Sequence, residues 1–273
     1  MSEVIKTPLQ MLYHWERETP QSVFLRQPKS LQWTEYTWAQ VGDAVRRVAA
    51  FLRTKDYPAG SSIALWSANS KDFVIADLAI MMAGHVSVPL YPGQDVNSAR
   101  YILEHSETRL CFVGSIDNAG RVDECIPAGV ERVGLLGCTC PVELTLDAVL
   151  ASHAPMRDSP LPDPEALLTL VYTSGTTGNP KGVMLVHATP GRVVPELAAT
   201  ARQEPGNCRL LSYLPMAHIA ERIVIEMVAL YMGGTISFSE GLASFGEELR
   251  SVQPTFFFSV PRLWIKFKEG IDA

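Results

Sequence analysis

Residues 167–186 read Leu167-Leu-Thr-Leu-Val-Tyr-Thr173-Ser-Gly-Thr-Thr-Gly-Asn-Pro-Lys181-Gly-Val-Met-Leu-Val186. An apolar strand (167–173) runs into a loop of glycines, hydroxyls and one lysine, and a second apolar strand (182–186) follows. A phosphate cradle needs close backbone approach, several N–H or O–H donors and a cation on a flexible stem. The loop supplies Gly175 and Gly178, the hydroxyls of Thr173, Ser174, Thr176 and Thr177, and Lys181. It is not a Walker A loop, because Gly182 follows the lysine where Ser or Thr would bind the metal, and it lacks the GxGxxG spacing of dinucleotide sites. A plain hairpin turn is the competing reading, since Gly178 and Asn179-Pro180 are turn formers between two strands. A turn accounts for the glycines but not for four hydroxyls and a lysine.

Upstream, short apolar strands alternate with helices. Thr37 to Lys55 predicts an amphipathic helix with a threonine cap and Trp38, Val41, Val45, Val48 and Leu52 on one face. Strand 62–66, helix 71–83, strand 86–90, helix 95–106, strands 109–113 and 132–136 and helix 144–152 follow. Downstream come a helix through Thr200, strand 209–213, helix 215–232 and strands 235–238 and 255–259, then a helical-looking end at 263–270. Such alternation predicts an α/β fold with mostly parallel sheets covered by helices on both faces. Pro155, Pro160, Pro162 and Pro164 exclude a central element between them. The expected organisation is a first α/β subdomain over 1–153, a proline-rich linker over 154–166 and a second α/β subdomain over 167–273.

The chain has 273 residues, enough for one large or two modest domains with a real core. Its 23 basic against 29 acidic residues give a net charge of −6, which argues against a nucleic-acid partner. Cys111, Cys125, Cys138, Cys140 and Cys208 form an odd, sparse set that reads as reduced cytosolic thiols, and Cys138 and Cys140 lack a second Cys/His pair for zinc. The first twenty residues lack the apolar stretch of a signal peptide. The apolar runs 73–84 and 223–238 are interrupted by Asp77 and Glu226, so both are expected as buried helices rather than membrane spans. A soluble, cytoplasmic protein is expected; contact with a membrane surface and self-association are left open.

The stretch 172–182 resembles the phosphate-loop signature of the AMP-forming adenylate synthetases, which include acyl-CoA synthetases, luciferases and peptide-synthetase adenylation domains. The resemblance extends to Thr37-Trp38, Asn69 before Asp77-Leu-Ala79, Val88-Pro-Leu-Tyr-Pro92, Tyr213-Leu-Pro-Met-Ala-His-Ile-Ala-Glu-Arg222, Pro254-Thr255 and Val260-Pro-Arg-Leu-Trp264, a pattern most similar to long-chain fatty acyl-CoA synthetases. It implies ATP-dependent adenylation of a long-chain carboxylic acid, giving acyl-AMP and pyrophosphate, followed by thioester formation with coenzyme A. It implies that Thr173, Ser174, Gly175, Thr176, Thr177, Gly178 and Lys181 hold the β and γ phosphates of ATP, with Asn179 and Pro180 shaping the turn. Magnesium accompanies the nucleotide in that family, and most of its ligands and the adenine contacts are expected beyond Ala273. The chain is accordingly expected to be the N-terminal part of such a ligase and inactive when isolated, with apolar surface uncovered around Phe256, Phe258 and Trp264. An enzyme loading a carrier-protein thiol, an aryl-CoA ligase and a non-catalytic nucleotide- or acyl-binding module are the alternatives.

His218 is the second candidate catalytic residue, with Lys181. Its expected place is the first turn of a helix opened by Pro215, where the helix dipole disfavours an imidazolium. Read from the residues alone, it is a core histidine bonded to Glu221 or Arg222, three and four positions on. The resemblance instead implies a side chain facing the carboxylate and the α-phosphate. His187 also occupies a position where the family has histidine, but Ala188-Thr189-Pro190 departs from the usual Gly-Asn. The apolar positions 223, 224, 227, 228, 230 and 231 predict a buried helix, with an acyl tunnel as the alternative reading.

Overall fold

The computed structural model describes residues 5–173 and 178–272. In chain order the elements are α1 (Pro8–Glu18), β1 (Val23–Lys29), β2 (Gln32–Thr37), α2 (Trp38–Arg53), β3 (Ser62–Trp66), α3 (Lys71–Ala83), β4 (Val86–Leu90), α4 (Val96–His105), β5 (Leu110–Val113), α5 (Val122–Cys125), β6 (Glu131–Gly134), β7 (Leu144–Thr145) and α6 (Leu146–Ser152). The remainder comprises β8 (Leu167–Thr173), β9 (Lys181–Val186), α7 (Ala188–Thr200), β10 (Arg209–Ser212), α8 (Ile219–Glu221), a π-helical turn (Arg222–Met227), α9 (Val228–Met232), β11 (Thr235–Phe238), α10 (Phe245–Val252) and α11 (Pro261–Asp272).

Local chemistry sets the helix ends. The Thr37 hydroxyl accepts from Gln40 N, 3.3 Å away, while the Gln40 amide oxygen accepts from Thr37 N at 2.8 Å, a reciprocal cap that starts α2. Ser70 caps α3 at Phe73 N, and Gly84 ends it in the left-handed region at φ 81°. Every residue of α3 from Asp72 to Met82 is buried, so its apolar circumference is met by packing on all sides.

Two sheets form. The larger has the order β7-β6-β5-β3-β4-β8-β9, parallel throughout except for the antiparallel pair β8/β9, and the smaller has the order β10-β11-β1-β2, parallel except for β1/β2. Each takes strands from both sides of the proline-rich segment: Ser87 pairs with Thr169 across β4/β8, and Leu25 with Ile236 across β1/β11. One apolar cluster runs through both, including Leu25, Val45, Phe73, Leu110, Leu168, Leu210 and Ile236. The segment itself is strapped to α1 and α2. Arg46 donates to Asp158 O at 2.9 Å, Arg53 pairs with Asp158 at 3.0 Å, and Tyr13 Oη donates to Pro160 O at 3.0 Å.

Two expected elements differ. Residues 255–259 are not a strand; Thr255 exchanges bonds with Arg209 (Thr255 N to Arg209 O, 2.9 Å; Arg209 N to Thr255 Oγ1, 3.1 Å), and the chain then leaves the edge. The three phenylalanines alternate as in extended chain, with Phe256 and Phe258 half-buried on the main core and Phe257 against Tyr213, but the segment has no ladder partner that would make it a strand. Trp264 is 51% exposed. The helix expected from Pro215 begins instead at Ile219, because His218 N closes a turn onto Pro215 O at 2.8 Å.

Candidate active site

The predicted phosphate loop joins β8 to β9. Ser174, Gly175, Thr176 and Thr177 lie outside the described residues. At the hairpin mouth Thr173 pairs directly with Lys181, so the first hydroxyl of the motif and its only cation face each other at the root of the loop. Both side chains are exposed, and among the described residues no carboxylate pairs with Lys181. Two glycines are favoured by geometry. Gly178 has φ 139°, a region that side chains rarely adopt. At Gly182 a Cβ would stand 3.2 Å from Cζ of the Tyr172 ring across the ladder. Tyr172 is held from behind by His105, with Oη 2.8 Å from Nδ1.

His218 is exposed and is the N-cap of the helix, with Nδ1 accepting from Ala220 N at 3.1 Å. The expected place inside the first turn is therefore corrected to the N-cap, the helix starting four residues later than Pro215, and the side-chain bonds to Glu221 or Arg222 that a core histidine would make are absent, because both side chains are engaged elsewhere. With Nδ1 occupied as an acceptor, Nε2 is the free edge of the ring.

Glu221 turns under the preceding loop. Its Oε1 accepts from Ser212 Oγ at 2.8 Å and Tyr213 N at 3.0 Å. Burial pushes its carboxyl up to about 8, against the hydrogen bonds from Ser212, Tyr213 and Leu214. Asn69 grips the same loop from the other side: Nδ2 donates to Ser212 Oγ (2.8 Å) and Leu214 O (2.6 Å), and Oδ1 accepts from Met216 N (2.9 Å). Residues 212–216, which lead to His218, are thus fixed by two buried or half-buried polar side chains.

Arg222 points into the interior. Its Nη2 donates to Asp77 Oδ1 at 2.6 Å and Ser87 Oγ at 2.8 Å, and its Nη1 to Thr169 Oγ1 at 2.6 Å. Thr169 in turn donates to Ser87 O at 2.8 Å. The guanidinium is 1% exposed and ties the helix that follows His218 to α3, β4 and β8, the strand that enters the phosphate loop. Glu226 lies one turn on, 3.7 Å from Arg222 Nε, with neither carboxyl oxygen hydrogen-bonded; burial and the Asp77 charge push its carboxyl well up. His187 is buried beside this network with Nδ1 unpartnered, and burial holds it down to about 4. Along the same helix Ile219, Ile223 and Met227 join Leu168, Leu185 and Pro190 around a crevice of only about 10 Å³ beside Arg222.

The sequence points to Lys181, Thr173, Gly178 and His218 by motif, but gives no role to Asn69, Asp77 or Glu226 and reads Glu221 and Arg222 as an ordinary helix pair. The available signal was charge inside apolar runs: Asp77 and Glu226 interrupt stretches otherwise fit for a core, and a buried charge requires a partner.

Residues 12–272 match the family described as AMP-binding enzyme. Among curated proteins, the chain is 30% identical over 277 residues to the long-chain-fatty-acid–CoA ligase FadD15 of Mycobacterium bovis, covering 94% of this chain and 44% of the relative. It is 29% identical to the peroxisomal long chain acyl-CoA synthetase 6 of Arabidopsis thaliana, covering 86% of this chain and 35% of that one. The chain thus spans less than half the length of these relatives. The fold matches the nonribosomal peptide synthetase FmoA3 with a TM-score of 0.78 at 19% identity (94% of this chain, 26% of that one). It matches apo MatB from Rhodopseudomonas palustris with 0.76 at 19% (90% and 48%). The match over 12–272 embraces the hairpin loop, the clamped 212–218 segment and the Arg222 network alike, and the chain belongs to the AMP-binding enzyme family.

Proposed function

We propose that this chain carries the phosphate-binding and acid-facing part of a fatty acid–CoA ligase. The observation that supports it most is the hairpin mouth: Thr173 and Lys181, which has no carboxylate partner among the described residues, face each other where the hydroxyl-rich sequence begins and ends, and a buried guanidinium ties that strand to the helix that His218 caps.

A carboxylate resists nucleophilic attack because its leaving group would be oxide, so it first attacks the α-phosphorus of ATP and pyrophosphate departs. Coenzyme A thiol then attacks the acyl carbon and AMP leaves. The loop donors, namely Thr173, Ser174, Thr176, Thr177 and the backbone at Gly175 and Gly178, take the β and γ phosphates, and Lys181 neutralises charge that grows on the departing pyrophosphate. His218 presents Nε2 toward the acid and the α-phosphate. Magnesium bound with ATP would supply further charge neutralisation at the phosphates; among the described residues no group of three or more His, Cys, Asp or Glu is placed to hold it.

The test uses palmitate, ATP, magnesium and coenzyme A. A longer chain containing these residues is expected to release AMP, pyrophosphate and palmitoyl-CoA in equal amounts; ADP and orthophosphate instead would overturn the reading. The 273-residue chain assayed by itself is expected to bind ATP weakly and not to turn over, because misplacement of reacting groups by about 1 Å costs roughly a hundredfold. Turnover near about 1 s⁻¹ would reject that expectation.

A further inference from the structure

Between β6 and β7 the chain bends back on itself and brings two sulfurs together. Cys138 Sγ lies 3.3 Å from Cys140 Sγ and 3.7 Å from the Cys140 carbonyl oxygen. The bend is fixed by Cys138 N donating to Leu135 O at 3.0 Å and by Gly137 at φ 76°, where a Cβ would stand 3.2 Å from Ser115 Cβ. Cys138 is partly exposed and Cys140 is buried at 7%. Cys111, Cys125 and Cys208 are all buried, so none of them offers a partly exposed sulfur as Cys138 does.

We propose that Cys138 and Cys140 form a redox-active dithiol site that reacts with a small disulfide of the glutathione type and closes to an intramolecular disulfide. The site stands apart from the ligase reading and does not depend on it. Partial exposure makes Cys138 the attacking group, since only its sulfur can meet a solution disulfide. Its thiolate attacks one sulfur of the small disulfide, that S–S bond breaks, and one small thiol leaves with a proton. Cys140, after losing its proton, attacks the Cys138 sulfur of the mixed disulfide and expels the second small thiol. Two cysteine S–H groups are oxidised by two electrons and one small disulfide is reduced to two thiols. A bond of about 2.05 Å requires the sulfurs to close by only a little over about 1 Å, within reach of side-chain rotation in a loop outside the strands. Burial pushes the Cys140 thiol up to about 12, so it waits protonated beside the attacking sulfur. The loop is also anchored, because Leu136 N donates at 2.8 Å to Asp72 Oδ2 in the first turn of α3. Ring closure is therefore felt at that amide.

The reduced chain is incubated with oxidised glutathione, blocked with iodoacetamide, digested and weighed. The peptide holding both residues is expected to have lost two hydrogens, to be unblocked, and to recover both blocking groups after dithiothreitol. Cys140→Ser should instead accumulate a stable glutathione adduct on Cys138, and Cys138→Ser should leave Cys140 unmodified. A parent chain that accumulates the same adduct as Cys140→Ser, or that leaves both thiols fully blocked, overturns the proposal. Reaction of Cys140 in Cys138→Ser at the parent's rate also overturns it.

Discussion

The two polar regions on either side of β8 are built on opposite rules. At Thr169 the strand meets a buried network: Arg222 Nη1 and Nη2 bond Asp77, Ser87 and Thr169 with almost no solvent, while Arg222 Nε has no hydrogen-bond partner. Four residues further along, at Thr173, it opens into a loop whose cation has no partner among the described residues. Donors already spent on the protein cannot hold a ligand, and donors left open cannot hold the fold. The network fixes the strand and the helix, and the mouth then presents the exposed Thr173 and Lys181 side chains at a set place. This division predicts that substitutions in the network act on stability and substitutions at the mouth act on binding.

The largest effect is expected at Arg222. Arg222→Met leaves Asp77 buried without its partner, which should cost about 3 to 5 kcal/mol, a fall of roughly 6 to 15 °C in Tm. Removing both charges in Arg222→Met/Asp77→Leu should recover much of that loss, because a buried ion pair is mainly costly when half of it remains. Thermal or urea unfolding of the single and double variants checks this. A Tm within 2 °C of the parent for the single variant would show that the network is not structural.

How far the sequence carried follows the same line. Strands 62–66, 86–90, 167–173 and 235–238 and helix 71–83 lie where the apolar pattern puts them, because their residues are buried on both faces or all round. The β1/β2 hairpin was missed. Its strand contains Pro28, and its turn uses Ser30 and Leu31 at φ 51° and 63° without Gly or Asn. The turn is held from far away, with Glu240 accepting from Ser30 N at 2.9 Å and Leu31 N at 3.1 Å, a contact that no local signal shows. The loop motif and His218 were legible by resemblance. The hold of Asn69 on 212–216 and the sharing of both sheets across the proline-rich segment depend on pairings far apart in sequence, and Glu221 reaches back to Ser212 and Tyr213 outside any helical spacing, so these were not.

At the mouth, Lys181→Ala should weaken ATP binding by the worth of one charge-assisted hydrogen bond, about 1.5 to 3 kcal/mol or roughly 10- to 150-fold. Tm should stay unchanged, since the side chain is exposed. Titration calorimetry with ATP, paired with a melting curve, separates the two regions. Equal ATP affinity in variant and parent removes the lysine from the phosphate site.

A smaller effect is expected in the pH dependence of stability, and it belongs to the buried side. The Glu221 carboxyl is held up to about 8, so the folded chain keeps a proton that the unfolded chain releases above its ordinary value of 4.5, and stability falls as pH rises through that window. His187, held down to about 4, acts in the opposite sense between about 4 and 6.5, where only the unfolded chain gains the proton, and it adds nothing further above that. The two oppose each other up to pH 6.5. From there to pH 8 the glutamate acts alone of the two, with a fall of at most about 1.4 kcal/mol per pH unit; Glu226, pushed up beside Asp77, adds a slope of the same sign. Glu221→Gln should flatten the slope between pH 6.5 and 8 in denaturant titrations. An unchanged slope would show that this carboxyl does not titrate there.

The smallest effect on stability, and the sharpest test of the division, is expected at His218. The residue sits on both sides of it: Nδ1 caps the helix at Ala220 N, and Nε2 is left open beside the segment that Asn69 and Glu221 hold. His218→Ala removes both, at a stability cost of about 0.5 to 1 kcal/mol for an exposed cap. In a ligase containing these residues, ATP–pyrophosphate exchange should show a raised KM for the fatty acid with the ATP dependence unchanged, because the open edge is assigned to the acid and not to the β and γ phosphates. His218→Asn separates the two roles. Asparagine is a good N-cap, so stability should return, but its short amide does not reproduce the reach of the imidazole Nε2, so the KM for the acid should stay high. If asparagine restores both, the imidazole is a cap and nothing more, and the acid must be recognised by other groups.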